Sequence, residues 1–255
     1  MHKIRFILTI LIFLSCALIG KSQDKTDLKS IKGGYVAPLY GLDSAKVWVD
    51  DFQLDEFAVT NAQFLAFVKK NPEWQRSKVK SLFADKSYLK QWTGDVTLAS
   101  TMKPNSPVTN VSWFAAKSYC AFEDKRLPSM DEWEYAALAS EAKQNAINDS
   151  LFNQRIVESY ELPNTYLKTI GSTYKNYWGV YDMHGLVWEW TSDFNSVLIS
   201  GESRNDGSAD RNLFCAGAAI SANNLRDYAS FMRYAFRGSI KANYSIQTLG
   251  FRCAK

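Results

Sequence analysis

The segment LPSMDEWEYAA at residues 127–137 constrains the fold of this 255-residue chain more than any other. Ser129 is followed three residues later by Glu132, the spacing of a capping box, in which two residues satisfy each other's free backbone N–H groups. Acidic residues in the first turn suit the positive end of the helix dipole. Trp133 and Ala136 then begin an apolar face, so the segment predicts a helix that starts after Ser129.

Two other segments predict short helices. Apolar side chains recur at three- and four-residue spacing after Thr60 or Asn61, either of which can cap a helix. The second predicted helix covers residues 113–122 and is opened by Ser112 or Asn110.

The rest of the chain is less regular. Residues 47–54 show mixed alternation of apolar side chains, which predicts a strand or hairpin, whereas residues 70–106 and 140–164 are polar without a clear period. The sequence contains no internal repeat and no convincing interdomain linker. We therefore predict one domain over residues 47–255, preceded by a polar lead-in at residues 24–46.

The N-terminus has the pattern of a secretory signal. Basic residues precede an apolar stretch at residues 6–19, which is too short to cross a bilayer comfortably. We predict a signal peptide over residues 1–23 and a periplasmic or extracellular protein, with a buried N-terminal helix as the alternative. Lipidation of Cys16 would anchor the chain to a membrane, whereas cleavage near Ser22, which we favour, would release it.

The net charge of +4 comes from basic residues mixed with acids along the chain. Nucleic-acid-binding domains concentrate Lys and Arg in a patch or stripe, and this sequence has none. We therefore expect no nucleic-acid partner.

Five groups of residues, in order, resemble the formylglycine-generating-enzyme (sulfatase-modifying-factor) family. Each string is weak alone, but together they span residues 47–255. The resemblance implies an α+β, C-type-lectin-like single domain with low regular secondary structure. The strings are FAVTNAQF at 57–64, PVTNVSW at 107–113, KRLPS with EWEYA at 125–136, YDMHG with VWEW at 181–190, and LGFRCA at 249–254.

The segment before the closing Gly-Phe-Arg departs from the family. The oxidising relatives bind copper there through two cysteines separated by four residues. One alignment places Ser221 and Arg226 at those positions, and another places Asn224 and Ala229. Cuprous copper needs soft thiolate ligands, and Cys215 alone cannot supply two. We therefore expect neither copper nor the oxidase reaction.

Asp182, Gly185, Val187 and Glu189 match a structural calcium site of the family. Two carboxylates flank backbone carbonyl oxygens there, and this arrangement suits a hard cation. The resemblance therefore implies structural calcium. The alternative is that Asp182 caps a turn and Glu189 pairs with a nearby arginine.

Three cysteines remain after the predicted signal: Cys120, Cys215 and Cys253. An oxidising compartment suggests one disulfide and one leftover thiol, and counting does not show which two pair. The resemblance implies a Cys120–Cys253 disulfide, with buried free thiols as the alternative.

Arg226, Asp227, Tyr228, Arg233 and Arg237 fall where the relatives line their substrate groove. The resemblance therefore implies a groove for a ligand or partner, and Arg and Tyr are common in recognition sites. The alternative is that the aromatic residues of this segment are core and its arginines are solvated or paired.

A single histidine, His184, remains outside the predicted signal. Iron chemistry with two histidine ligands, which another branch of the superfamily uses, is therefore excluded. We expect His184 to be hydrogen-bonded within a loop.

Two hypotheses about function follow. The first is an exported domain without formylglycine-generating oxidase activity, which serves as a binding, assembly or accessory protein of the bacterial cell envelope and holds a peptide or protein. The second is an enzyme, or a maturation factor for an exported protein, with a site rebuilt around Cys215, Ser221 and Arg226. The sequence retains the motifs of the family but lacks the two copper-binding cysteines, and this combination favours the first hypothesis.

Overall fold

The computed structural model describes residues 27–36, 46–195 and 225–255, and at residues 225–227 it describes the backbone alone. The helices of these ranges are α1 Asn61–Lys70, α2 Trp113–Phe122, α3 Met130–Ala137, α4 Ser150–Tyr160 and α5 Leu225–Ser239. The strands are β1 Leu28–Ile31, β2 Gly34–Val36, β3 Val47–Val49, β4 Phe52–Asp55, β5 Trp92–Gly94, β6 Thr97–Leu98, β7 Trp188–Glu189 and β8 Leu249–Gly250. In this part of the chain no helix has both the length and the apolar surface needed to span a bilayer.

The described strands pair two by two and do not join into a larger sheet. β1 pairs with β4, β2 with β3 and β5 with β6, all antiparallel, while β7 and β8 are parallel. The α+β fold with low regular secondary structure is thereby confirmed.

The lead-in predicted at residues 24–46 contributes two of these strands. β1 buries Ile31 and β2 buries Val36. Their partners β4 and β3 lie inside the domain that we predict to begin at residue 47. The described part of the lead-in therefore belongs to the same folded unit. Its strands are so short that each buries too few apolar side chains to show a period in the sequence.

The three predicted helices are confirmed together with their caps. Thr60 begins α1 and Ser129 begins α3, each in a complete capping box. Ser112 caps α2, since its side chain accepts a hydrogen bond from the backbone three residues on. These helix starts are predictable because a cap is a local hydrogen bond that needs no distant partner.

Helices α4 and α5 are absent from the sequence-based prediction, and they pack against each other. α4 lies inside the polar segment 140–164 and buries Phe152 and Ile156 on one side. α5 buries two arginines, Arg233 and Arg237. Because charged residues do not register in a hydrophobic period, the buried face of α5 is hidden from pattern analysis.

Large aromatic side chains fill the main core. Phe64, Trp92, Trp190 and Phe251 are buried there. The indole Nε1 of Trp190 donates to the carbonyl oxygen of Val111 at 3.0 Å, so this buried polar group is satisfied. Aromatic rings of this size supply the core volume that a fold with little sheet cannot gain from stacked layers.

Candidate functional site

A cavity lies between α3, the end of α4, the segment 183–189 and α5. Its interior volume is about 80 Å³, and it opens to solvent. Tyr160, Leu162, Leu186 and Trp188 contribute to its wall. Small-ligand sites usually have a mainly apolar wall with a few polar groups, so this cavity is the candidate site.

Glu134 of α3 and two arginines of α5 form a buried group that we call the ion cluster. Arg233 donates from Nε and Nη2 to Glu134 Oε2 at 2.9 and 2.7 Å. Arg237 donates from Nη1 to Glu134 Oε1 at 2.5 Å. The two arginines lie four residues apart, hence on one face of α5, and both line the cavity. All three residues are 5% exposed or less.

Glu134 and Arg233 of the ion cluster are ionised at neutral pH. Burial alone would raise the pKa of the Glu134 carboxyl, but the charges of Arg233 and Arg237 outweigh it and lower that pKa to about 2. Burial also acts to lower the pKa of Arg233, yet the charge of Glu134 raises it above its ordinary value. One negative charge therefore faces two positive charges beside the cavity.

His184 also lines the cavity and is uncharged. Burial lowers its pKa to about 3, and the charge of Arg233 acts in the same direction. His184 Nε2 lies 2.9 Å from the carbonyl oxygen of Ala137. Because a carbonyl oxygen can only accept, Nε2 carries the proton. The side chain thus ties the segment 183–189 to α3.

The two carboxylates of the predicted calcium site bind donors of the chain itself. Asp182 Oδ1 accepts from the backbone N–H and the hydroxyl of Thr173, both at 2.9 Å. Glu189 Oε2 accepts from Arg252 Nε and Trp133 Nε1, each at 2.7 Å. Glu189 Oε1 accepts from Arg252 Nη2 at 2.8 Å.

This donor set does not fit a calcium ion ligated by both side chains. Calcium takes six to eight oxygen ligands, and the charge of Arg252 on Glu189 repels a cation. The contacts correspond to the alternative, a turn-capping Asp182 and an arginine-paired Glu189. Calcium binding at Asp182, Gly185, Val187 and Glu189 stays a prediction that requires these contacts to rearrange. Among the described residues, no group of three or more His, Cys, Asp or Glu side chains is placed to hold a metal ion.

Calcium binding at this site predicts a higher thermal unfolding midpoint in millimolar calcium than in excess chelator, whereas the contacts of Asp182 and Glu189 with the chain predict no difference. Differential scanning calorimetry of chelator-treated protein measures this. A midpoint that rises with calcium and not with magnesium would show that the calcium site forms.

Cys120 and Cys253 form a disulfide between α2 and the C-terminal segment. Both residues are completely buried. The pairing implied by the resemblance is therefore the one that the structure contains. Cys215, Ser221 and Asn224 lie outside the described residues.

The predicted groove residues lie on α5. The side chains of Arg226 and Asp227 lie outside the described part of the structure, and Tyr228 is half-buried. Arg233 and Arg237 belong to the ion cluster, so the alternative of paired arginines holds for these two. They nevertheless line the cavity.

Ala229 is one of the positions that an alignment places at a copper-binding cysteine, and α4 covers it. Ala229 is 1% exposed and shares a hydrophobic cluster with Phe152 and Ile156 of α4. Its carbonyl oxygen accepts from the hydroxyl of Tyr160 at 3.0 Å. A side chain at this position therefore faces a packed helix.

Sequence analysis did not identify Glu134 or Trp188 as site residues. Glu134 stands beside Trp133 in a helix whose other buried positions are apolar. An acid on an apolar helix face, together with the four-residue spacing of Arg233 and Arg237, is the signal that could have predicted the ion cluster. That signal requires α5 to be predicted first.

Several known proteins are similar to this chain over most of its length. The family model of the sulfatase-modifying factor enzyme 1-like domain matches residues 20–255. The chain is 30% identical over 246 residues to the formylglycine-generating enzyme of Streptomyces coelicolor, covering 80% of this chain and 77% of that protein. It is 26% identical over 267 residues to inactive C-alpha-formylglycine-generating enzyme 2 of Bos taurus, covering 82% and 78%. The fold is similar to that of PvdO from Pseudomonas aeruginosa, with a TM-score of 0.51 and 20% identity over 91% of this chain and 95% of that one.

Proposed function

The chain belongs to the sulfatase-modifying factor enzyme 1-like family, and from this membership we propose that it is a member without copper-dependent oxidase activity. In this proposal it is exported to the cell envelope, released into the periplasm or outside the cell. There it binds a peptide or a partner protein, as a binding, assembly or accessory protein. The cavity between α4, α5 and the segment 183–189 is the proposed binding site.

The number of available sulfur ligands carries the proposal. The chain has four cysteines, and two of them, Cys120 and Cys253, are consumed by the disulfide. Cys16 lies in the predicted signal, so Cys215 is the single thiol left for the mature chain. One thiolate does not make the soft, two-sulfur site that cuprous copper needs.

The packing of α4 supports the same conclusion. If Ala229 corresponds to a copper-binding cysteine, its side chain points into a hydrophobic cluster with Phe152. A peptide cysteine would have to displace α4 to reach it. The bovine relative is named an inactive formylglycine-generating enzyme, so its name is compatible with family members that keep the fold and do not carry out the oxidation.

We expect the purified protein to form no aldehyde on a cysteine-containing peptide in the presence of copper and oxygen, and to show no tight cuprous-ion binding. Mass spectrometry of the peptide and a competition titration with a cuprous chelator measure the two outcomes. The Streptomyces coelicolor enzyme, assayed in parallel, is the positive control. Stoichiometric copper binding together with aldehyde formation would contradict the proposal.

Partner binding is tested by affinity capture from the native envelope fraction, with identification by mass spectrometry. A specific partner should be lost with Leu162→Ala and kept with Leu151→Ala, because Leu162 is an exposed leucine of the cavity wall and Leu151 is an exposed leucine outside it. Equal capture by wild type and both variants would rule out binding at the cavity.

A further inference from the structure

Arg237 has more hydrogen-bond donors than the described part of the chain satisfies. A guanidinium carries five N–H donors. Arg233 distributes its donors over Glu134, Tyr160 and a backbone carbonyl. Among the described residues, Arg237 donates from Nη1 alone, to Glu134. Its Nε and Nη2 therefore have no acceptor within this part of the structure.

Arg237 lines the cavity, and its side chain is almost entirely enclosed by the protein, with 3% exposure. Its guanidinium carbon lies 4.6 Å from the centre of the Trp133 ring, which covers one face of the group. An anionic acceptor that enters the cavity would form charge-assisted hydrogen bonds with this guanidinium.

The charges around the cavity favour an anion. Among the described residues, Glu134 is the one carboxylate that contacts Arg237, and it shares its charge with Arg233. The acid in the cavity wall, Glu189, is paired with Arg252. Within these described contacts, two carboxylates face three guanidinium groups, which leaves one positive charge beside the cavity. A ligand with one negative charge balances it, whereas a cation would be repelled.

The hydrogen-bonding edge of Arg237 fits a carboxylate, whose single negative charge also matches the one positive charge left over. Nη1 is taken by Glu134, and the remaining Nε and Nη2 form the side-on edge of the guanidinium. That edge binds the two oxygens of a planar carboxylate with two parallel hydrogen bonds.

The apolar wall of the cavity determines which kind of chemical group can be attached to the carboxylate. Trp188 stacks on Tyr160 at 5.0 Å and on Phe236 at 4.6 Å between ring centres. Leu162 and Leu186 complete this side of the cavity. A flat or apolar group next to the carboxylate would replace water along these side chains, and burying apolar surface is favourable.

We propose that the cavity binds a carboxylate attached to an apolar group, through the Nε–Nη2 edge of Arg237. The inference rests on the proposed binding function and names its ligand chemistry: a C-terminal carboxylate of a bound peptide, or a free monocarboxylic acid. The ion cluster holds Arg237 in place, and Tyr160, Leu162, Leu186 and Trp188 of the cavity wall contact the apolar group.

The first experiment uses the wild-type protein with benzoate and benzamide, which have the same shape and differ in charge. We expect isothermal titration calorimetry to detect benzoate binding and to give a dissociation constant at least about tenfold higher for benzamide. Equal affinity for the two, or no binding of benzoate, would overturn the inference without any variant.

The second experiment uses Arg237→Gln with benzoate. The variant should fold, because Glu134 keeps its two-pronged contact with Arg233. We expect a loss of benzoate affinity of at least about tenfold, whereas Arg155→Gln, an exposed arginine paired with Glu141, should bind as wild type. Unchanged affinity in a folded Arg237→Gln protein would assign the binding to another place.

The source of the carboxylate is distinguished by N-acetyl-Gly-Phe as the free acid and as the amide. Binding of the acid alone supports a peptide C-terminus, and binding of benzoate alone supports a free acid. If an envelope partner binds wild type and Arg237→Gln equally well, the carboxylate inference fails while the proposed function stands. If benzoate binds through Arg237 and no partner is captured, the proposed function fails instead.

Discussion

Glu134→Gln should lower the free energy of unfolding by about 3–5 kcal/mol, because it leaves two buried guanidinium groups without a countercharge. Glu134 is the common partner of Arg233 and Arg237. A loss of this size is a large part of the roughly 5–15 kcal/mol that stabilises a typical domain. Urea unfolding followed by circular dichroism at pH 7 measures it.

Glu141→Gln is the matched control for this prediction. Glu141 also pairs with an arginine, Arg155, but both side chains are nearly half exposed, at 48% and 45%. Exposed ion pairs contribute about 0–1 kcal/mol, so the control should be close to wild type. If both variants lose the same free energy of unfolding, burial of the ion cluster does not determine its contribution to stability.

The effect of Glu134→Gln should also depend on pH with a definite sign. The pKa of Glu134 is lowered in the folded protein to about 2 from the ordinary value of 4.5. A lowered carboxyl pKa stabilises the folded state above pH 4.5, and this contribution is lost as the pH falls towards 2. The difference between wild type and variant should therefore be full at neutral pH and shrink in that acidic window. A stability difference between wild type and variant that grows as the pH falls would contradict the lowered pKa of Glu134.

Removal of the Cys120–Cys253 disulfide by a double substitution to alanine should cost about 4–5 kcal/mol. The bond joins residues that are 133 positions apart, and in the chain-entropy account a loop of this length gives a stabilisation of that order. Alanine avoids placing a hydroxyl group at two completely buried positions. The thermal midpoint of the oxidised wild type should lie well above that of the variant.

A reducing agent provides the control for the disulfide prediction. Dithiothreitol should lower the midpoint of the wild type towards that of the double variant, and it should leave the variant unchanged. Titration of thiols in the unfolded, non-reduced mature protein should find Cys215 alone. Three titratable thiols would show that the disulfide does not form in the isolated protein.

The sequence predicts local features well where the signal is itself local. The starts of α1 and α3 follow from Thr60 and Ser129, each of which binds a backbone N–H three residues away. The strands β1 and β2 are less visible, because each buries few side chains and gains its hydrogen bonds from a strand elsewhere in the chain.

The calcium prediction depends on information that a residue pattern does not contain. Asp182 and Glu189 stand at the spacing of a ligand set, but their oxygens face Thr173, Trp133 and Arg252. Arg252 is 63 residues away from Glu189 in the chain. Whether a carboxylate binds a cation or an arginine depends on which donor the fold places beside it, and spacing does not contain that information.

The sequence by itself determined the family motifs, the three capped helices and the number of cysteines, because these depend on residue identity and on contacts within a few positions. Only the tertiary structure decided that α4 covers Ala229, that Glu134 joins Arg233 and Arg237, and that Arg237 lines a cavity. The hydrogen bonds behind these features join residues 69, 99 and 103 positions apart. Their energies come from burial and from charges brought together by folding, which no local pattern records.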